Sequence, residues 1–149
     1  MKKFPFAPKK TYDEFSKYFP FSTADAVIFY QDSFLLTKRN TSPYKGLWHL
    51  PGGIIRKGEK IESAAKRVLK KELNLNVKIE KFLGVYENPI RTRHDISHCF
   101  VAKIVGRFSD DDLQTTHAKF FKNIPSNTIS YQKNIIRDAI GLLRSINDL

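Results

Sequence analysis

The stretch PGGIIRKGEKIESAAKRVLKKELNLNV contains the residues of this chain whose types and spacing could do chemistry. After Gly53, five residues lead to Glu59, seven more lead to Arg67, and Glu72 follows five positions later. Positions 68, 71 and 72 are three and four residues apart, so they share one face of a helix. Acidic side chains on such a face would bind a metal ion, but here the face carries a valine, a lysine and one glutamate.

This spacing resembles the Nudix box, Gly-x5-Glu-x7-Arg-Glu-U-x-Glu-Glu-x-Gly-U, in which U is a bulky aliphatic residue. The residues that match the pattern are Pro51, Gly52, Gly53, Glu59, Arg67, Leu69, Glu72 and Leu75. Val68 and Lys71 replace two of the glutamates of the box, and Asn74 replaces its last glycine. The resemblance implies a loop–helix–loop within a Nudix fold, with Glu59 and Arg67 paired as structural support for the loop.

The two replacements change the expected metal chemistry. In a Nudix pyrophosphohydrolase, three carboxylates on this face gather several Mg²⁺ ions around a diphosphate, and water attacks phosphorus. Here we expect one Mg²⁺, or Mn²⁺ in its place, bound by Glu72, the Gly53 carbonyl, phosphate oxygens and waters. Lys71 would repel a second cation and contact a phosphate oxygen. A single metal ion stabilises a departing diphosphate, which favours substitution at the sugar carbon that bears it.

One branch of the family shows the same departures. The box is similar to that of GDP-mannose mannosyl hydrolases, which lack the same two glutamates and break the C1–O bond of the sugar. The upstream stretch KRNTSPYKGLWHLPGG also aligns with that branch without gaps. The resemblance implies that Arg39 binds the diphosphate, that Asp25 contacts the sugar, and that His117 is the catalytic base. A neutral imidazole near pH 7 can take the proton of an attacking water.

Other positions of the predicted site depart from that branch. Thr116 stands where the branch has a metal-binding glutamine, which makes it a candidate but poorer metal ligand. Ile54 stands where the branch has a second phosphate-binding arginine, a role that Arg56 or Lys57 could take over. Further candidate phosphate contacts are Arg91, Arg93 and the neighbouring His94, while His98 is expected on a sheet face.

Composition indicates one globular domain with an anionic ligand. The chain has 149 residues, 41% hydrophobic residues and a net charge of +11, which attracts anions such as nucleotides. We expect a single domain over 1–149, with 1–21 as an N-terminal extension. The one cysteine, Cys99, excludes a disulfide framework. With no secretory signal and no apolar run of about 20 residues, a cytoplasmic location without a membrane partner is expected.

Hydrophobic periodicity predicts a mixed α/β (α+β) chain with a sheet between helices. Helices are predicted over Thr11–Tyr18, Lys60–Leu73 and Ile129–Ile146. Strands are predicted over Ala24–Tyr30, Ser33–Lys38, Leu47–Leu50, Val77–Tyr86, Ser97–Gly106 and Lys119–Lys122. Polar loops are predicted over residues 40–45 and 87–95, and the pair Gln31-Asp32 is predicted to turn a hairpin.

Three functions fit these observations. The first is hydrolysis of a nucleotide sugar, such as GDP-mannose or another GDP-hexose, at C1. The second is a conventional Nudix pyrophosphohydrolase that cleaves a nucleotide P–O bond. The third is a module without catalysis that binds a nucleotide sugar or RNA. For the enzymes we expect a small-molecule substrate rather than nucleic acid, and a homodimer to which the aromatic N-terminal segment could contribute.

Overall fold

The structure is a computed structural model, which describes residues 5–90, 92–109, 113 and 117–147. Within these residues the helices are α1 (Lys9–Tyr18), α2 (Ile61–Leu73) and α3 (Ser130–Asn147). The strands are β1 (Phe21–Tyr30), β2 (Ser33–Lys38), β3 (Trp48–His49), β4 (Gly52–Ile54), β5 (Val77–Ile90), β6 (Arg93–Ile104) and β7 (Ala118–Phe121). No helix in these ranges is long and apolar enough to cross a membrane.

The described strands form one mixed sheet with the order β3-β2-β1-β6-β5, in which β4 also pairs with β1 and β7 also pairs with β2. Strands β1 and β6 are parallel, and the other pairs are antiparallel. This arrangement places β1 at the centre of the sheet, with partners on both sides. The predicted mixed α/β fold, a sheet between helices, is confirmed.

Helices α2 and α3 cover opposite faces of the sheet. On one face Leu69 and Leu73 of α2 cluster with the buried side chains Ala26, Ile28 and Leu35. On the other face Ile135, Ile136 and Ala139 of α3 cluster with Val27, Phe29 and Leu36. Since successive side chains of a strand point to opposite faces, β1 must be apolar on both sides where both faces are covered. Its buried polar residues, Thr23 and Asp25, are therefore the exceptions that call for a function.

Asn74 explains how α2 ends without the glycine of the box. It has φ +53° in the left-handed region; its amide donates to the Lys70 carbonyl, and the amide of the next residue, Leu75, donates to the Leu69 carbonyl. Asparagine is the residue after glycine that most readily accepts this conformation at a helix end. The replacement therefore preserves the turn that follows the helix.

Several predicted boundaries differ from the structure. The polar loop predicted over 87–95 is wrong, because β5 and β6 continue as an antiparallel hairpin as far as Ile90 and Arg93. Polar residues are tolerated there because β5 is an edge strand, which also accommodates Pro89. The residues after Pro51 form a short strand, β4, that the sequence did not indicate, and β1 begins three residues before the predicted Ala24.

Candidate functional site

The turn between β4 and α2 is fixed by a buried ion pair. Arg67 donates from Nε and Nη2 to the two carboxylate oxygens of Glu59, at 2.6 and 3.0 Å, and also donates to the Ile54 carbonyl at 3.0 Å. The Arg56 amide donates to Glu59 at 3.1 Å, and the Glu59 side chain is only 2% exposed. Burial raises the pKa of Glu59, but the bonds from Arg67 and Arg56 outweigh it and leave the pKa below its ordinary value. These contacts place Gly53 and the start of α2 in a defined geometry.

The C-terminal half of α2 departs from the Nudix box in the charge and the packing of its side chains. Val68 is 4% exposed, and a Cβ added at Gly53 would lie 3.0 Å from its Cγ2 atom. Val68 therefore packs α2 directly against β4, at the position where the box has a glutamate. Lys71 and Glu72 lie on the exposed side of the same turn. Partial burial of its carboxyl still raises the pKa of Glu72 above its ordinary value, although Lys71 and Arg67 partly offset this.

A cleft of about 700 Å³ lies over this face of α2, and we call it the cationic cleft. Its cationic side chains are Lys9, Arg39, Arg56, Arg67, Lys71 and Arg93, and its acidic side chain is Glu72. Arg67 and Arg93 are paired with carboxylates, whereas Arg39 and Lys71 make no ion pair within the described residues. Such a concentration of positive charge attracts a phosphorylated ligand.

Arg39 connects the cationic cleft to two further cavities, since it lines all three. Its Nε donates to the Pro43 carbonyl at 2.8 Å, and its Nη2 lies 3.4 Å from the Thr41 hydroxyl. These bonds orient the guanidinium but satisfy only part of its five N–H donors. Arg39 is thus held in place with donors available to a phosphate.

The second cavity, of about 330 Å³, is called here the histidine cleft. It is lined by Arg39 after β2, His49 of β3, Glu72 near the end of α2, and His117 just before β7. The amide of Lys38 donates to the His117 carbonyl at 2.7 Å, which fixes the backbone of His117 beside β2. A candidate base, a candidate metal ligand and a candidate phosphate-binding arginine therefore line one cleft.

The third cavity is a polar pocket of about 70 Å³ behind Gly52, with room for a few water molecules. Asp25, 8% exposed, accepts hydrogen bonds from the hydroxyls of Ser97 and Thr23. Burial raises the pKa of Asp25 to about 6, which the two hydroxyls oppose. A Cβ at Gly52 would overlap the Asp25 carboxylate, so only glycine allows this approach. Other side chains that line the pocket are Tyr44, Asn88, Tyr131 and Gln132.

His49 is a site residue that the sequence analysis missed. It lines both the polar pocket and the histidine cleft, and its Nε2 lies 2.9 Å from the Thr37 hydroxyl. Burial, together with the charge of Arg39, lowers the pKa of His49 to about 4, so the ring is neutral at physiological pH. Its position directly after Trp48, on the strand that leads into the Pro-Gly-Gly turn, was the available signal.

The predicted site residues are distributed over these cavities as follows. Arg39, Arg56, Arg93, Lys71, Glu72 and Gly53 line the cationic cleft, while Asp25 lines the polar pocket and His117 lines the histidine cleft. Arg91 and Thr116 lie outside the described residues. His94 and His98 line none of the three cavities. The Nδ1 atom of His98 lies 3.0 Å from the Thr23 carbonyl.

The described residues fit one divalent ion better than several. Within them, no group of three or more His, Cys, Asp or Glu side chains could hold a metal. Val68 fills a position that would carry a carboxylate, and Lys71 adds a positive charge beside Glu72. Mg²⁺ is often bound by one or two carboxylates together with substrate phosphates. The donor set therefore fits a single ion that shares Glu72 with a phosphorylated substrate.

Comparison with known proteins identifies the family. A family model described as the NUDIX domain matches residues 20–124. The chain belongs to the Nudix family. An ADP-ribose pyrophosphatase of Methanocaldococcus jannaschii is 35% identical over 123 residues, covering 80% of this Nudix chain and 72% of the relative. The low-salt glycan biosynthesis protein Agl8 of Haloferax volcanii is 32% identical over 106 residues, covering 67% and 68%.

A third relative is a putative 8-oxo-dGTP diphosphatase of Bacillus subtilis, 36% identical over 116 residues, which cover 76% of this chain and 74% of that protein. None of these three names is that of a GDP-mannose hydrolase, so they do not support the finer resemblance to the GDP-mannose branch. The resemblance to the Nudix family as a whole is confirmed, and the chain is a Nudix hydrolase.

Solved structures share the fold. A Nudix hydrolase from Nitrosomonas europaea superposes with a TM-score of 0.61 at 26% identity, covering 76% of this chain and 65% of that one. A MutT Nudix hydrolase from Burkholderia pseudomallei gives 0.62 at 24% identity, covering 76% and 94%. In the first of these superpositions, this chain spans slightly less than two thirds of the Nitrosomonas protein. The second likeness, at its lower identity, shows the fold alone.

Proposed function

We propose that this Nudix hydrolase cleaves a nucleoside diphosphate that is joined to a sugar. The observation that carries the proposal is that Arg39, Glu72 and His117, from distant parts of the chain, line one cleft of about 330 Å³. The adjoining cationic cleft supplies the charge that a diphosphate requires. Two relatives support this substrate class, because ADP-ribose is itself a nucleoside diphosphate joined to a sugar, and Agl8 is named for glycan biosynthesis.

The cationic side chains would bind the substrate. Arg39 is placed to hold the diphosphate, since its guanidinium can bond two phosphate oxygens at once. Lys71, Arg56 and Arg93 line the same cleft and would add contacts to the phosphates. Asp25 would accept a hydrogen bond from a sugar hydroxyl in the polar pocket, at the other end of the diphosphate. The substrate would then extend past the end of α2.

The reacting centre would lie in the histidine cleft. Glu72, with the Gly53 carbonyl, would hold one Mg²⁺ or Mn²⁺ ion, which neutralises charge that develops on the diphosphate. His117 would take the proton of the attacking water. His49, neutral because of its low pKa, would hydrogen-bond to substrate or water rather than exchange a proton near pH 7.

The relatives favour cleavage at phosphorus. Two of their names are those of a pyrophosphatase and a diphosphatase, so attack of water on a P–O bond is the first expectation. It would give a nucleoside monophosphate and a sugar phosphate. One observation favours the alternative, substitution at the anomeric carbon of a sugar such as mannose in GDP-mannose. The face of α2 offers a single carboxylate, which suits a departing diphosphate better than an attack on phosphorus.

Hydrolysis in ¹⁸O-labelled water distinguishes these reactions. ADP-ribose and GDP-mannose would each be incubated with the protein and Mg²⁺, and the products would be read by mass spectrometry. In ADP-ribose the diphosphate is attached at C5 of ribose rather than at the anomeric carbon, so only the pyrophosphate bond is open to attack. Label on AMP or ribose 5-phosphate supports the pyrophosphohydrolase. Label on free mannose, with unlabelled GDP, supports the alternative.

Loss of two acids also leaves a third function, binding of a nucleotide sugar or RNA without chemistry. Its motivation is the pairing of a +11 chain with a single carboxylate on the face of α2. Tight binding of ADP-ribose or GDP-mannose without turnover, at all Mg²⁺ and Mn²⁺ concentrations tested, would replace both hydrolase hypotheses with this one.

A further inference from the structure

The N-terminal segment contributes a wall to the cationic cleft. Phe6, Ala7, Lys9 and Tyr12 line the cleft, although they precede residues 20–124, the part of the chain that the family model matches. Side chains from outside the matched domain thus face the arginines of the box region. The segment therefore adds a feature to the binding site beyond the shared domain.

Phe6 is the apolar element of this wall. The residue is 55% exposed, so much of the ring surface is accessible from the cleft that it lines. The Arg56 guanidinium lies 5.6 Å from the centre of the ring, and the ring of Tyr12 lies 6.3 Å away. Phe6 is thus supported from two sides while much of its surface remains open.

The support behind Phe6 is itself fixed. The ring of Tyr12 stacks on Phe21 of β1 with 4.9 Å between the ring centres. Its hydroxyl accepts a hydrogen bond at 3.0 Å from Arg93, which also pairs with Asp95 at 2.7 Å. Because α1 is tied in this way to the central strands, the end of the cleft near Phe6 is preorganised rather than loose.

The sizes of the three cavities restrict where a nucleobase could lie. The polar pocket, at about 70 Å³, has room for a few waters or for sugar hydroxyls. The histidine cleft contains Glu72 and His117, which the reacting bond must approach. The cationic cleft, at about 700 Å³, leaves its aromatic end for the base. A planar base can stack on an aromatic ring or a guanidinium, whichever base it is.

We propose that Phe6, supported by Arg56 and Tyr12, forms a stacking platform for the nucleobase of the substrate. The platform rests on the proposed function, because it takes the diphosphate to lie on the cations of the same cleft. Phe6 is therefore a specificity-determining residue, which favours a ligand that carries a nucleobase over a diphosphate that lacks one. Affinity should depend on the presence of a base, and this dependence should disappear when the ring is removed.

The test compares ADP with pyrophosphate as ligands, in the presence of Mg²⁺, by isothermal titration calorimetry. Phe6→Leu should bind ADP about tenfold more weakly than the wild type, the scale of one lost base stack, and should bind pyrophosphate within twofold of it. Phe19→Leu is the matched control, because Phe19 is 59% exposed in the same segment but lines none of the cavities described. It should leave both affinities unchanged.

Two further variants complete the test. Phe6→Trp should retain affinity for ADP, and ADP should quench the fluorescence of the new tryptophan more than pyrophosphate does. Arg39→Gln should weaken ADP and pyrophosphate alike, since it removes a phosphate contact. If wild-type protein binds ADP no more tightly than pyrophosphate, or if Phe6→Leu behaves like Phe19→Leu, the platform is wrong while the proposed function stands. If neither ligand binds to the wild type, both proposals fail.

Discussion

Glu59 and Glu72, the carboxylates at the two ends of the box segment, lie in opposite electrostatic environments. At its start, Glu59 is almost completely buried, but two bonds from Arg67 compensate its charge and the pKa lies below the ordinary value. At the other end, partial burial raises the pKa of Glu72, and Lys71 and Arg67 only partly oppose this. Glu59 is therefore already paired with a cation, whereas binding a cation would stabilise the ionised form of Glu72. The difference separates the residue that shapes the turn from the residue that is available for chemistry.

Neutralising Glu72 should have the largest effect on activity. Glu72→Gln should reduce turnover at least ~100-fold, because the amide cannot supply the charge that holds a divalent ion on the diphosphate. Initial rates with ADP-ribose and GDP-mannose, measured at saturating Mg²⁺, check this. Glu62→Gln is the matched control, an exposed glutamate at the other end of the same helix, and it should leave the rate unchanged. A Glu72→Gln variant with more than a third of the wild-type rate would contradict the assignment.

Neutralising Glu59 should affect stability instead. Glu59→Gln leaves the Arg67 guanidinium, 23% exposed, without its carboxylate, and should lower the free energy of unfolding by about 3 kcal/mol. Urea unfolding followed by circular dichroism measures this. In the double variant with Arg67→Met, part of the loss should be recovered, because replacing both charged partners removes the unpaired charge. A loss below about 1 kcal/mol for the single variant would mean that the pair does not fix the turn.

The acids missing from the face of α2 can be restored. The double change Val68→Glu with Lys71→Glu should lower the free energy of unfolding by about 2 kcal/mol without metal, since Val68 is buried against Gly53. Added Mg²⁺ should recover this loss, and with GDP-mannose as substrate the share of products from C–O cleavage should fall relative to the wild type. Melting temperatures with and without Mg²⁺ and product analysis check the two effects.

A control with the same change in charge separates position from net charge. Ser63→Glu with Lys70→Glu alters two exposed positions of the same helix and removes three units of positive charge, as the first pair does. This control should show no comparable response to Mg²⁺. An equal Mg²⁺ response in both double variants would show that general surface charge, rather than the face of α2, binds the ion.

Local patterns predicted the scaffold better than they predicted the site. The spacing from Gly53 to Glu72 and the apolar face of α2 are local features, so the sequence was sufficient to place them. The polar pocket depends instead on contacts between distant segments. Asn88 bonds to the Tyr44 hydroxyl at 3.1 Å across 44 positions, and the Leu50 amide donates to Gln132 across 82. Periodicity within one element contains no information about such contacts.

Two errors of prediction, the loop over residues 87–95 and the omission of His49, have the same cause. The stretch 87–95 is polar because β5 is an edge strand and β6 pairs with β1 only from Asp95 onward, and a polar composition alone does not distinguish such a hairpin from a loop. His49 lies on a strand of only two residues, too short for a periodic signal, and it becomes a site residue because β2 and β3 pair at Thr37 and His49. Pairing across the sheet, rather than local propensity, determined both outcomes.

Asp25 is a third carboxyl, and its surroundings differ from those of both glutamates. Like Glu59 it is buried, but hydroxyls rather than a guanidinium donate hydrogen bonds to it, and burial raises its pKa from 3.8 to about 6. A carboxyl with a raised folded-state pKa contributes stability that is fully present below pH 3.8 and lost as pH rises through about 6. Between pH 5 and pH 8 this loss amounts to roughly 1.4 kcal/mol. Asp25→Asn, which cannot ionise, should not share it.

The difference in free energy of unfolding between wild type and Asp25→Asn should therefore shift by roughly 1.4 kcal/mol in favour of the variant between pH 5 and pH 8. Urea titrations at both values measure this. Asp32→Asn removes a charge from an exposed carboxyl, 70% exposed and 3.4 Å from Lys122, and controls for net charge. If Asp25→Asn and Asp32→Asn respond alike to pH, Asp25 is ionised in the folded protein with ordinary affinity for protons. The contrast among the three carboxyls would then rest on Glu59 and Glu72 alone, since burial of Asp25 would not have been enough to raise its pKa.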